Sequence, residues 1–348
     1  MVSGRGPWRR LLLTLPTCLL MAAAVQGPAL AATDTTPPAP FDLLADAGDH
    51  QTGYTVASPW NSVNVSWEVT TDNVSSVQYA LDVDGVTQRV VAGGTGYPTM
   101  SKQVDVPEGY HTVSVTAIDS SGNQTVADHF LDVVVDKESP TFTSNPRLVM
   151  RTGRVTPDSI PVRYSWTATD VGTGLQRVRV GYGTTCCFEP DVTATSQDFD
   201  VAWHSTANWR IYLYDGVGRT VHKLRSAYIT AVPSSKVQRK GDWSKRTVDG
   251  ALDGTEAVSL SEGDKAIVTV TGHCVAWVTA RGPKRGVADV YIDGKLRATV
   301  DLKAKSLLPA RTVWTQAVSP DRSHRVVIVN RSPKTRRAIG VDTFLLQS

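Results

Sequence analysis

The feature that most limits the fold of this chain is a two-residue rhythm. Val63-Asn64-Val65-Ser66-Trp67 alternates apolar and polar side chains one by one, as do Val113-Ser114-Val115-Thr116-Ala117 and Val162-Arg163-Tyr164-Ser165-Trp166. A strand sends successive side chains to opposite faces, so such runs suit a sheet with one buried face. The i, i+3, i+4 spacing of an amphipathic helix is nearly absent beyond residue 32. Clusters of Gly, Asp, Asn and Ser separate the runs and supply turn conformations. The expected fold class is all-β, built of antiparallel sandwiches.

The rhythm repeats at long range. Ser66-Trp67, followed by Asp72, has a counterpart in Ser165-Trp166 and Asp170, with the tryptophans 99 residues apart. Asp119-Ser120-Ser121-Gly122 has one in Asp215-Gly216-Val217-Gly218, 96 residues apart. Two motifs at nearly one spacing predict tandem copies of a single fold. Pro- and Ser-bearing stretches at 136–140 and 232–235 mark boundaries, giving units at 41–136, 137–233 and 236–348, each of ordinary domain size. Residues 33–40 (TDTTPPAP) read as an extended linker. Trp67, Trp166 and Trp277 are assigned to the cores; Trp203 and Trp209, flanking a polar loop, stay open between core and surface.

Residues 1–32 read as a secretory signal peptide. Arg9-Arg10 precede the apolar stretch 11–25, and Ala29-Leu30-Ala31 supplies a small-residue cleavage point near Ala31 or Ala32. The twin arginines faintly match a twin-arginine signal, but the Leu-rich run fits the general export route. Beyond it, no apolar run approaches the roughly 20 residues that span a bilayer. The expectation is a secreted, extracellular protein with no membrane span.

The first two units, through NSVNVSWEVTTDNVSSVQYALDVDG and HTVSVTAIDSSGNQT, resemble bacterial immunoglobulin-like and fibronectin type III modules. The second departs from the pattern at Gly218-Arg219, where the first has Gly122-Asn123. The third unit carries Gly241-x-Trp243, Val275-x-Trp277, Gly282-Pro283, Val290-Tyr291-Ile292-Asp293-Gly294 and Val341-Asp342-x-Phe344. This set resembles a galactose-binding-like jelly-roll module of secreted actinobacterial proteins, similar also to the jelly roll fused to certain carbohydrate esterases. It departs from that family at 321–324 and in the loop 249–254. The resemblance implies spacer modules presenting a carbohydrate-binding unit.

Charge sharpens the picture. The net charge is only +3, which argues against a uniformly basic nucleic-acid binder. Its distribution is lopsided. Residues 33–136 carry 2 basic and 14 acidic side chains, 137–234 carry 11 and 8, and 235–348 carry 20 and 11. A basic C-terminal unit suits an anionic polymer such as a wall polysaccharide, although a solvated surface needs no partner. Candidate ligand-binding residues are Trp243 and Trp314 for stacking on a sugar ring. Lys284, Arg285, Arg336 and Arg337, in two loops, would supply attraction.

No cofactor is expected. Calcium is a minor option at Asp82, Asp84 and Asp119, but D-G and D-x-x-G serve hairpin turns first. No G-x-S-x-G, H-E-x-x-H, phosphate-cradling loop or dinucleotide fingerprint occurs, so no catalytic residue is assigned and no enzyme is expected. His273 and Cys274 are neighbours on a strand and face opposite ways, poor geometry for a nucleophilic couple. Of Cys186, Cys187 and Cys274, two would pair in an oxidising compartment, leaving one over. The function expected is thus a secreted, non-catalytic glycan- or cell-wall-binding protein. Two alternatives remain: a structural or adhesive surface protein without a glycan site, and a cryptic esterase or glycosidase accessory protein.

Overall fold

The computed structural model of the chain describes residues 34–44, 54–73, 76–94, 96–183, 185–204, 206–233 and 236–348. The expected signal peptide and its cleavage point lie outside the described residues. The fold is all-β, with no α-helix among the described residues.

In the first unit, a three-stranded sheet sets Ser62–Glu68 between Leu43–Leu44 and Thr99–Asp105. It faces a larger sheet in which Gly109–Ile118 pairs with Gln78–Val83, Leu131–Val135 and Gln124–Val126. The edge strand Tyr54–Ser58 runs parallel to Leu131–Val135. Val63, Val65 and Trp67, one face of the alternating run, are buried with Tyr79, Leu81, Val113 and Val115. Trp67 is fully enclosed and lies 5.3 Å from the Tyr79 ring.

The second unit repeats the plan. Ile160–Thr169 lies between Thr141–Met150 and Ser196–Val201, so Trp166 occupies the place of Trp67 on the middle strand. Trp166 is buried, as is Trp209, whereas Trp203 is half-buried and donates its indole N–H to the Thr156 carbonyl. The opposing sheet contains Leu175–Tyr182, Thr206–Asp215 and Thr220–Ala231.

That second sheet does not stop at the unit's edge. Thr220–Ala231 pairs with Thr343–Gln347, which pairs with Cys274–Arg281, which pairs with Leu308–Ala317. The layer therefore runs unbroken from the second unit into the third. The run 274–278 is apolar at every position because the strand is covered on both sides. Cys274, Ala276 and Val278 belong to the core of the second unit, while Val275 and Trp277 belong to that of the third. Gln347 crosses the seam as well, donating from Nε2 to the Leu148 carbonyl at 3.0 Å.

The third unit completes a sandwich around Trp277. One sheet orders Gln238–Lys240, Lys265–Val270, His324–Asn330, Val287–Ile292 and Lys295–Asp301. Another sets Thr255–Ser259 between Trp243–Thr247 and Ile339–Val341. The Trp277 indole donates to the Gly340 carbonyl at 3.0 Å, which satisfies its one polar atom. Two hairpins close on Asp-Gly pairs with left-handed backbone, Asp84-Gly85 and Asp293-Gly294, the geometry that matches strand twist. In each, the turn carboxylate is held by a histidine, His111 at 2.7 Å or His324 at 2.8 Å.

Candidate functional site

The candidate cationic residues come from loops that the third unit's strands bring to one end. The loop at 282–286 follows Cys274–Arg281, and the segment 302–307 follows Lys295–Asp301. The Gly282 N–H donates to the Leu302 carbonyl at 3.0 Å, and the Ala304 N–H donates to the Gly282 carbonyl at 3.2 Å. The loop after His324–Asn330 joins them: the Gly286 N–H meets the Ala338 carbonyl at 2.8 Å, and Arg285 bridges Ala338. The two loops singled out from sequence are thus neighbours in space.

Their four cations are not equivalent. Lys284 and Arg337 are exposed. Arg337 donates from Nε to the Lys334 carbonyl at 3.1 Å, leaving the rest of its guanidinium to solvent. Arg336 is half-buried and grips Asp301 with both amino groups, 2.7 and 3.3 Å, and reaches the Arg285 carbonyl at 3.2 Å. That bidentate hydrogen bond holds the Asp301 carboxyl below the usual carboxylate range.

Arg285 corrects the expectation of an exposed ligand. It is 8 % exposed and paired with the buried Glu256, whose carboxylate also accepts from the Thr279 hydroxyl and, at 2.9 Å, the Ala280 N–H. A buried guanidinium needs a counter-charge, and Glu256 supplies it inside the fold. Arg285 is therefore a structural ion-pair member. The sequence reading missed Lys303, Lys305 and Lys334, which are exposed on the converging loops. Their positive charge was legible, but only the pairing of strands shows that their loops meet the loop of Lys284.

The two stacking candidates are corrected also. Trp314 is 6 % exposed, inside the third core. It is the cross-strand partner of Trp277, and residues directly opposite on neighbouring strands share a face. Trp277 points into the core, so Trp314 does too. Trp243 is half-buried, packs against the same core and donates its indole N–H to the Lys240 carbonyl at 3.2 Å. Aromatic rings that do face solvent include Trp60, Tyr97, Tyr110 and Phe130 in the first unit and Phe188 and Tyr228 in the second.

The calcium candidates separate as well. Asp84 accepts from the Thr112 N–H and pairs with His111; Asp82 accepts from the Thr87 hydroxyl at 2.6 Å. Asp119 closes its own turn, accepting from the Ser121 and Asn123 N–H groups at 2.8 Å each. Cys274 is a buried free thiol, so it is not the partner of Cys186 or Cys187. His273 is exposed in the bend just before the strand that starts at the buried Cys274, so the two are not neighbours on one strand.

No family model and no curated protein matches the chain. Among solved structures, it is similar to fibronectin(III)-like modules of Clostridium thermocellum CbhA, with 12 % identity over 53 % of this chain and 90 % of that one, TM-score 0.31. A bacterial ice-binding adhesin studied for host cell surface retention gives 13 % identity over 90 % and 98 %, TM-score 0.34. Carbohydrate-binding modules of the β-sandwich superfamily give 11 % over 61 % and 99 %, TM-score 0.23. At these identities and scores the likenesses carry no functional argument. Among the described residues, no helix is long and apolar enough to cross a membrane.

Proposed function

We propose that this chain is an exported, non-catalytic binding protein in which two immunoglobulin-like units space a C-terminal β-sandwich that holds an anionic wall polysaccharide. The observation that supports it is the gathering of Lys284, Lys303, Lys305, Lys334 and Arg337, all exposed, on loops joined at one end of a unit whose net charge is +9. Exposed ammonium groups meet a polyanion mainly through solvent, and such contacts weaken steeply with salt. The test is retention of the full chain on purified cell walls and on neutral insoluble glycans from low to high ionic strength. Retention on walls is expected to fall with salt. Changing Lys284, Lys303 and Arg337 together to Gln should lower it about tenfold at low salt, a loss of about 1.4 kcal/mol in binding.

The burial of Trp314 and the packing of Trp243 favour a second reading, a spacer or adhesive protein with no glycan site. Equal retention of wild type and triple variant, or no retention on any glycan, would select it.

A further inference from the structure

The two copies of the immunoglobulin-like plan each gather three carboxylates, one of which also closes a turn. In the first unit these are Asp34, Asp72 and Asp119; in the second they are Asp136, Asp170 and Asp215. Each set joins the segment entering the unit, the loop after the tryptophan strand and the first residue of the D-x-x-G turn. One oxygen from each residue lies within 4.8 Å of the others. That span is about twice a calcium–oxygen bond of roughly 2.4 Å, so three such oxygens fit one coordination sphere.

The sets differ in how their oxygens are satisfied. Asp119 and Asp215 close their turns identically: the Asp215 Oδ1 accepts from the Val217 and Arg219 N–H groups at 3.0 and 2.7 Å. In the first unit the Asn123 amide then donates to the Asp119 Oδ2 at 2.7 Å. In the second, position 219 is Arg, and its guanidinium turns away to the Asp136 and Pro59 carbonyls at 3.2 and 2.8 Å. The Asp215 Oδ2, on a side chain 3 % exposed, is left without a partner. No donor meets either oxygen of Asp170 with hydrogen-bond geometry, and both are closed off from solvent. Three carboxylate oxygens closed off from solvent without a well-formed hydrogen bond are costly to bury together.

We propose that Asp136, Asp170 and Asp215 bind a calcium ion. All donors are hard carboxylate oxygens, with no sulfur or imidazole, which favours calcium over zinc or copper. Asp136 is held in place for this role: its Oδ2 accepts from the Thr173 N–H and hydroxyl at 2.6 and 2.7 Å, and its Oδ1 from the Glu138 N–H at 3.1 Å. Gly172 passes so close that a side chain there would meet the Asp136 carboxylate at 2.2 Å. Burial, then the Asp136 charge, push the Asp170 carboxyl above its usual range against the opposing pull of the Gly174 N–H; a cation at the centre would reverse that. Asp136 directly follows Leu131–Val135, the last strand of the first unit, so the ion would pin the connector to the loops of the second. The acidic group of the first unit, already supplied with an amide, carries no such claim.

The experiment uses the full chain in an Asp72→Asn background, stripped with EGTA, with calcium binding followed by calorimetry and thermal unfolding. One site is expected, with a dissociation constant on the order of 10⁻⁴ to 10⁻³ M, as in extracellular modules, and a calcium-dependent rise in melting temperature. Adding Asp170→Asn should weaken binding at least tenfold. Because neither Asp170 oxygen holds the fold together, that variant should melt at or above its parent in EGTA. Asp82→Asn should bind like its parent. Unchanged affinity in Asp170→Asn, an equal response to magnesium, or no binding at about 10 mM calcium, tenfold above the weakest such sites, would each overturn the proposal.

Discussion

The first and second units share one plan and one tryptophan position, yet they close their cores in different ways. The first draws its core entirely from residues 41–135. The second takes in Cys274, Ala276, Val278 and Leu345, which come from the third unit. A sequence repeat therefore guarantees similar strands, not equal independence. What decides autonomy is whether the sheet edge is covered from within or extended by a neighbour, because an open edge and the apolar face beside it invite pairing.

The sharpest test of this contrast is the pair Trp67→Ala and Trp166→Ala. Each removes a large buried ring, at a cost of about 3–5 kcal/mol, a large share of a domain's usual stability. In calorimetry of the full chain, Trp67→Ala should lower the transition of the first unit alone. Trp166→Ala should lower a transition shared by the second and third units. A second unit that melts separately from the third would break the comparison.

A smaller change probes the seam from its far side. Val278 is numbered with the third unit but packs into the second core. Val278→Ala should cost about 2 kcal/mol. It should speed amide hydrogen exchange in Ile160–Thr169, far away in sequence, while Ser62–Glu68 exchanges as before. Exchange that rises only in the third unit would show that the two cores are energetically separate.

A titrating group lies on the same seam. The Asp342 N–H donates to the Val278 carbonyl at 3.0 Å, and its Oδ2 accepts from the Leu252 N–H at 3.0 Å. Burial, reinforced by the Glu256 and Asp253 charges, pushes its carboxyl up to about 6. A folded value above the unfolded one means that the protonated form is favoured in the native state. That contribution is complete below about pH 4, the ordinary carboxylate range, and is lost as pH rises through about 6. Asp342→Asn, which keeps an acceptor for Leu252, should stabilise the protein at pH 7.5 by on the order of 1 kcal/mol after allowance for solvent screening. It should have little effect at pH 4. Denaturant midpoints at the two pH values check this, and an equal shift at both would rule out Asp342 as the source.

The strands and the core tryptophans were legible because alternation is a local property. Trp67, Trp166 and Trp277 each sit in a run whose pattern alone marks a buried face. The apolar stretch 274–278 announced burial on both faces, but not that the second face belongs to another unit, since only strand pairing reveals that. The site was less legible for the same reason. Trp314 looked like a stacking residue until its pairing with Trp277 turned its face inward. Arg285 looked like a free loop cation because its counter-charge, Glu256, lies 29 residues away. Lys303, Lys305 and Lys334 were visible as charges, but not as members of loops that meet the loop of Lys284.

Thiol labelling reads the seam directly. Cys274 is a free thiol whose side chain faces the second core from a strand of the third unit. Burial pushes the thiol up to about 11, and only the thiolate attacks a disulfide reagent. Labelling in the native protein therefore requires an opening that exposes the residue, and its rate reports the free energy of that opening. If the second and third units open as one body, labelling of Cys274 should be slow and unchanged by Trp67→Ala, whose damage is confined to the first unit. It should accelerate with Val278→Ala, roughly thirtyfold for a local loss of about 2 kcal/mol at 25 °C. Mass spectrometry of the labelled peptide keeps Cys274 distinct from Cys186 and Cys187. Fast labelling in the wild type, or acceleration by Trp67→Ala to the same degree, would mean that the shared sheet does not separate the first unit from the rest in the way its core suggests.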